Sequence, residues 1–78
     1  MDRLREERQI GGWRHFIGDD EIRCGEIIEV MQGDDWIAGR YEADLHHSLP
    51  EPKAWLEIDG QNSITLTDGM PVQMPKLL

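Results

Sequence analysis

The sequence predicts an all-β protein whose strands close into a small barrel, and three observations carry that prediction. Short runs of strand-forming residues recur between turn signals at regular intervals from residue 13 onward. Five or six such runs, each only a few residues long, are too short to enclose a core as one flat sheet. Gly39 stands in the middle of the longest run, where a bulge or sharp bend lets a sheet curl on itself.

Residues 1–12 read as an N-terminal arm, helical for two turns or disordered, because only Leu4 and Ile10 offer it an apolar anchor. Gly11-Gly12 ends the arm, and residues 13–78 form the barrel domain. Residues 13–17 make a first strand, closed by Gly18-Asp19-Asp20. Residues 21–24 make a short second segment that bends at Gly25-Glu26. Residues 27–32 carry the clearest alternation: Ile28 and Val30 face one way, Ile27, Glu29 and Met31 the other. Gly33-Asp34-Asp35 turns the chain into residues 36–44. There Ile37, Gly39, Tyr41 and Ala43 share a face opposite Trp36, Ala38, Arg40 and Glu42. The repeated Gly-Asp-Asp marks two similar hairpin turns.

Residues 45–53 form a loop containing His46, His47, Pro50 and Pro52. Residues 54–58 and 63–67 are further strands, separated by Asp59-Gly60. In the final segment Met70, Val72 and Met74 alternate, and Pro71 and Pro75 place it at a sheet edge, since proline donates nothing to a ladder. The expected core is Ile28, Val30, Ile37, Leu56, Ile58, Ile64, Leu66 and Val72. The fold class is thus an SH3-like antiparallel barrel.

Composition bounds the function. The chain has 78 residues, is 38% hydrophobic and contains three tryptophans, enough apolar content for a folded rather than a disordered protein. A single cysteine, Cys24, excludes an internal disulfide and points to a reducing cytoplasm, where it is expected to be packed and inert. No apolar run approaches the ~20 residues of a membrane helix, and the charged first residues do not resemble a signal peptide. The net charge is −8. Residues 1–17 hold four basic and three acidic groups, residues 18–44 nine acidic and two basic, and residues 45–78 four acidic and two basic. The excess therefore lies in the central third. Such a field repels nucleic acid and anionic membrane and attracts basic proteins.

The spaced set Cys24-Gly25-Glu26, Ile28-Glu29-Val30, Trp36 with Gly39-Arg40-Tyr41-Glu42, Trp55-Leu56 and Asp68-Gly69-Met70-Pro71-Val72 resembles a family of small bacterial domains of unknown function borne on plasmids and phages. The resemblance covers roughly residues 14–74. It implies a compact β-barrel without known catalytic residues.

The chemistry-bearing residues are few. His15, His46, His47 and Cys24 lack zinc-site spacing, and solvated loop histidines are the ordinary reading of the pair. Asp19, Asp20, Asp34 and Asp35 lack EF-hand spacing and would gather around a cation only if their two turns abut. No metal and no cofactor is expected. Hydrolase, phosphate-loop and dinucleotide motifs are absent, and Cys24 with His15 or His46 is a poor nucleophile pair, so no catalytic residue is assigned.

Binding remains. Carboxylates at alternate strand positions are about 6.5–7 Å apart, close to the phosphate step of a nucleic-acid strand. The expected function is a non-enzymatic acidic module of phage or mobile-element origin, monomeric or weakly dimeric. It would dock on a basic nucleic-acid-handling protein and inhibit or modulate it by mimicry of nucleic acid, as anti-CRISPR proteins do. The expected binding residues are Asp19, Asp20, Glu21, Glu26, Glu29, Asp34, Asp35, Trp36, Tyr41, Glu42 and Asp44. An alternative is a barrel reading a basic or methylated peptide through Trp36, Tyr41 and Trp55. A third is a structural subunit that self-pairs through the edge at Met70, Val72 and Met74.

Overall fold

The computed structural model describes residues 2–45 and 50–75 and contains eight strands and no helix among them. These are β1 (Asp2–Gln9), β2 (Gly12–Ile17), β3 (Asp20–Ile22), β4 (Ile27–Gln32), β5 (Asp35–Asp44), β6 (Lys53–Glu57), β7 (Ser63–Thr65) and β8 (Pro71–Gln73). They form one sheet in the order β3-β2-β1-β8-β4-β5-β6-β7, antiparallel at every ladder. The sheet curls into a half-barrel. Strands β2 and β5 are separated in it by β1, β8 and β4, yet the Trp13 amide donates to the Leu45 carbonyl at 3.0 Å. Only a strongly curled sheet brings those strands together.

Two expectations need correction here. The N-terminal segment is neither helical nor disordered but the strand β1. It pairs with β2 from Leu4↔Ile17 to Gln9↔Gly12 and with β8 at Asp2↔Val72 and Arg3↔Pro71. A two-turn helix with so few apolar positions gains little on its own, whereas the strand buries Leu4 completely beneath its neighbours. The segment containing Met70, Val72 and Met74 is not an edge. Its core, β8, lies between β1 and β4, and the sheet instead ends at β3 and β7. Pro71 is tolerated as the first residue of a three-residue strand, beside which the Leu4 amide donates to the Met70 carbonyl.

The turns follow the expected chemistry. Ile17↔Asp20 and Gln32↔Asp35 each close a two-residue loop, Gly18-Asp19 and Gly33-Asp34. The glycine takes a left-handed φ in each, 61° and 62°, while no other residue type does, which is the pattern of a type II′ hairpin. Gly39 keeps regular register opposite Ile28, so it is not itself a bulge. It permits a close approach instead: a Cβ there would lie 2.7 Å from both the Glu57 carbonyl oxygen and Leu56 Cγ. The bulge falls nearby, where Gly25 donates to the Tyr41 carbonyl and the Tyr41 amide donates to the Glu26 carbonyl, setting two residues against one.

The concave face holds Leu4, Ile17, Ile22, Ile28, Val30, Tyr41, Ala54, Leu56, Leu66 and Val72. Ile28, Val30, Leu56, Leu66 and Val72 were expected there, and Ile64 packs against them half-buried. Ile37 is also half-buried, while Ile58 is exposed. Leu4, Ile17 and Ile22 take the remaining volume, contributed by the very strands whose pairing residue spacing leaves open.

Candidate functional site

Register places Glu6 of β1 directly opposite His15 of β2, on the concave face. His15 is fully buried, and its Nδ1 lies 2.6 Å from the Tyr41 hydroxyl across the barrel. Its Nε2 lies 3.3 Å from Glu6 Oε1. One arrangement of protons satisfies both contacts with a neutral ring: Tyr41 donates to Nδ1, and the Nε2–H donates to the carboxylate. The two rings meet edge to face with centroids 5.7 Å apart. Burial, and secondarily the nearby Cys24, Glu6 and Glu21, push the Tyr41 hydroxyl well above its ordinary range, so it stays a neutral donor. His15 and Tyr41 are closed to solvent, so this chain of bonds is structural at its inner end. Only Glu6 reaches an opening.

That opening is a groove of about 670 Å³ along β6, β7 and the turn after β7. Glu6, Glu51 and Asp68 line it with Lys53, and Trp55 and Leu66 also border it. Two of the carboxylates are held from behind, Glu6 by His15 and Asp68 by the Glu6 amide, which donates to Asp68 Oδ1 at 2.9 Å.

The expected binding residues do not converge. Tyr41 is buried and presents nothing to a ligand. Strands β2 and β4 run in opposite directions, so the turns bearing Asp19 and Asp34 lie at opposite ends of the sheet, and Asp19, Asp20, Asp34 and Asp35 cannot share a cation. No metal-holding cluster exists among the described residues. Glu21 lies between Arg14 and Arg23, at 4.0 and 3.5 Å. Glu26 accepts from the Arg23 amide, and Glu29 from Gln73. Glu42 pairs with Arg40 at 3.2 Å, and Arg40 also pairs with Glu57. Asp44 faces Lys53 across the β5–β6 ladder.

Trp36 and Trp55 both project from the convex face but form no cage with Tyr41. Trp36 is opposite Met31 and Trp55 opposite Glu42, six residues further along β5, or about 20 Å at ~3.3 Å per residue. Cys24, expected to be packed, is exposed, with its sulfur 3.7 Å from the Ala43 carbonyl oxygen. It follows β3, just before the bulge, where the chain has left the core. His46 and His47 lie outside the described residues.

Glu6 escaped the sequence reading, and His15 entered it only as a zinc ligand or a base, not as a buried partner of Glu6 and Tyr41. Their signal is a single polar residue at an inward position in each of two strands, visible only once β1 is known to be a strand. No protein-family model, curated protein or solved structure matches this chain.

Proposed function

We propose that the protein is a non-enzymatic acidic interaction module, an SH3-like scaffold that docks on a basic partner and modulates it. The observation that carries this reading is the distribution of unspent negative charge. Strand carboxylates are largely engaged within the molecule: Glu7 with Arg5, Glu21 with Arg14 and Arg23, Glu42 and Glu57 with Arg40. The carboxylates at the two hairpin tips, Asp19 and Asp34 in the loops and Asp20 and Asp35 at the first strand positions after them, are exposed and take part in none of the ion pairs among the described residues. The field a partner meets therefore comes from the hairpin tips rather than from a ladder along one strand. A partner with Lys- and Arg-lined surface, as a nucleic-acid-handling protein has, is steered by such a field.

Binding to a lysine-rich protein surface over a salt series tests the reading. Affinity should fall steeply toward physiological salt, where screening shortens exposed interactions to about 8 Å. DNA should compete for the partner and not bind the protein. Direct binding to DNA or RNA would overturn the proposal.

A further inference from the structure

Strand β7 ends the sheet, and its outer edge faces no other strand among the described residues. The bonds of its inner edge can be assigned residue by residue. Leu66 donates to the Ala54 carbonyl at 2.9 Å, and Ile58 to the Asn62 carbonyl at 3.0 Å, so the paired positions of the segment are 62, 64 and 66. In an antiparallel ladder the intervening residues direct their N–H and C=O groups the other way. Ser63 and Thr65 thus present four unpaired backbone groups along an exposed edge. Both residues line the groove described above.

An exposed edge is a template for another strand, and a groove beside it selects that strand's side chains. Charge decides which strand fits. Glu6, Glu51 and Asp68 outnumber Lys53 in the groove wall; Glu6 is held by the buried His15, and Asp68 by the Glu6 backbone amide. Trp55, half-buried beside Ser63 and Thr65 at the groove, offers apolar surface for the stem of a long side chain. An acidic segment would meet like charge there, and a wholly apolar one would strand the carboxylates.

We propose that this groove seats an extended basic segment of the partner, added as a strand on the free edge of β7, with a Lys or Arg side chain directed between Glu6, Glu51 and Asp68. The inference rests on the acidic-module reading and gives it a second component. The hairpin aspartates govern approach, and the groove governs residence.

The test uses the isotope-labelled full chain with a short peptide alternating lysine and valine, and with its glutamate counterpart. The lysine peptide should shift the amide resonances of Ser63 and Thr65, and the glutamate peptide should not. Thr65→Pro removes one edge donor without touching the β6–β7 bonds, and should weaken binding roughly three- to tenfold, the loss of about one hydrogen bond. Glu51→Lys, at an exposed position that bears on no strand pairing, should weaken it comparably and serves if the proline variant fails to fold. Asp68→Asn, which keeps an oxygen for the Glu6 amide, should also weaken it. Shifts confined to the hairpin tips, with Thr65→Pro and Glu51→Lys neutral, would overturn the groove while leaving the acidic module standing. No binding of the lysine peptide by the parent protein, together with no effect of reversing Asp34 and Asp35 on binding to a lysine-rich protein, would overturn both. Self-association abolished by Thr65→Pro would assign the edge to a second copy of this chain and overturn the proposal as well.

Discussion

The Tyr41 hydroxyl and His15 Nδ1 lie 2.6 Å apart at the centre of the half-barrel, joining strands separated in the sheet by three others. Neither side chain is exposed, and no buried polar side-chain atom of the described residues lacks a partner. A satisfied buried contact of this kind holds the curl of the sheet to one geometry, because any other spacing of β2 and β5 leaves two polar groups dry and unpaired.

Breaking that contact should cost stability in a way that reveals its coupling. Tyr41→Phe should lose about 1–3 kcal/mol by stranding one ring nitrogen, and His15→Phe at least as much by stranding the hydroxyl. The double variant should lose less than the two together, because it leaves no orphan at that contact. Denaturant unfolding of the four proteins measures the difference; strict additivity would show that the contact carries no coupling.

The raised Tyr41 hydroxyl sets an alkaline limit. Burial favours the neutral phenol in the folded state, above its ordinary value of 10.0. Its contribution is therefore complete below about pH 10 and is lost as pH climbs toward the folded-state value, at up to ~1.4 kcal/mol per pH unit. Unfolding midpoints measured from pH 8 to 11.5 should decline above 10, and Tyr41→Phe should flatten that decline.

Gly39→Ala should destabilise the protein by about 1–3 kcal/mol, since a methyl group there meets the Glu57 carbonyl and Leu56 and the strands must separate. Thermal unfolding checks this. A neutral result would mean that β5 and β6 yield more easily than their packing suggests.

Cys24 should react with a thiol reagent in the native protein at a rate close to that of the unfolded chain, because it is exposed. Cys24→Ala should change stability by less than about 0.5 kcal/mol. Slow native labelling would place the thiol under cover.

Reversing Asp34 and Asp35 to lysine should slow association with a basic partner and flatten the salt dependence, with little change in dissociation. Stopped-flow association across salt separates this from the groove variants, whose effect should fall on the dissociation rate.

Much of this architecture was legible along the chain because it is local. Alternation at Ile28 and Val30 set which face of β4 is buried, and Gly-Asp at 18–19 and 33–34 set the two tight hairpins, since only glycine enters their left-handed position cheaply. Net charge and the lone cysteine are properties of composition and needed no fold. What lay beyond reach depended on partners distant in sequence. The first nine residues carry no strand signal of their own; β2 and β8 make them one by taking up their backbone groups and covering Leu4. Pro71 reads as an edge residue, but β8 is short enough to lie between β1 and β4. Glu6, His15 and Tyr41 come from three separate strands. Their meeting follows from register and curl, which are decided by long-range pairing and packing rather than by any residue's own preference.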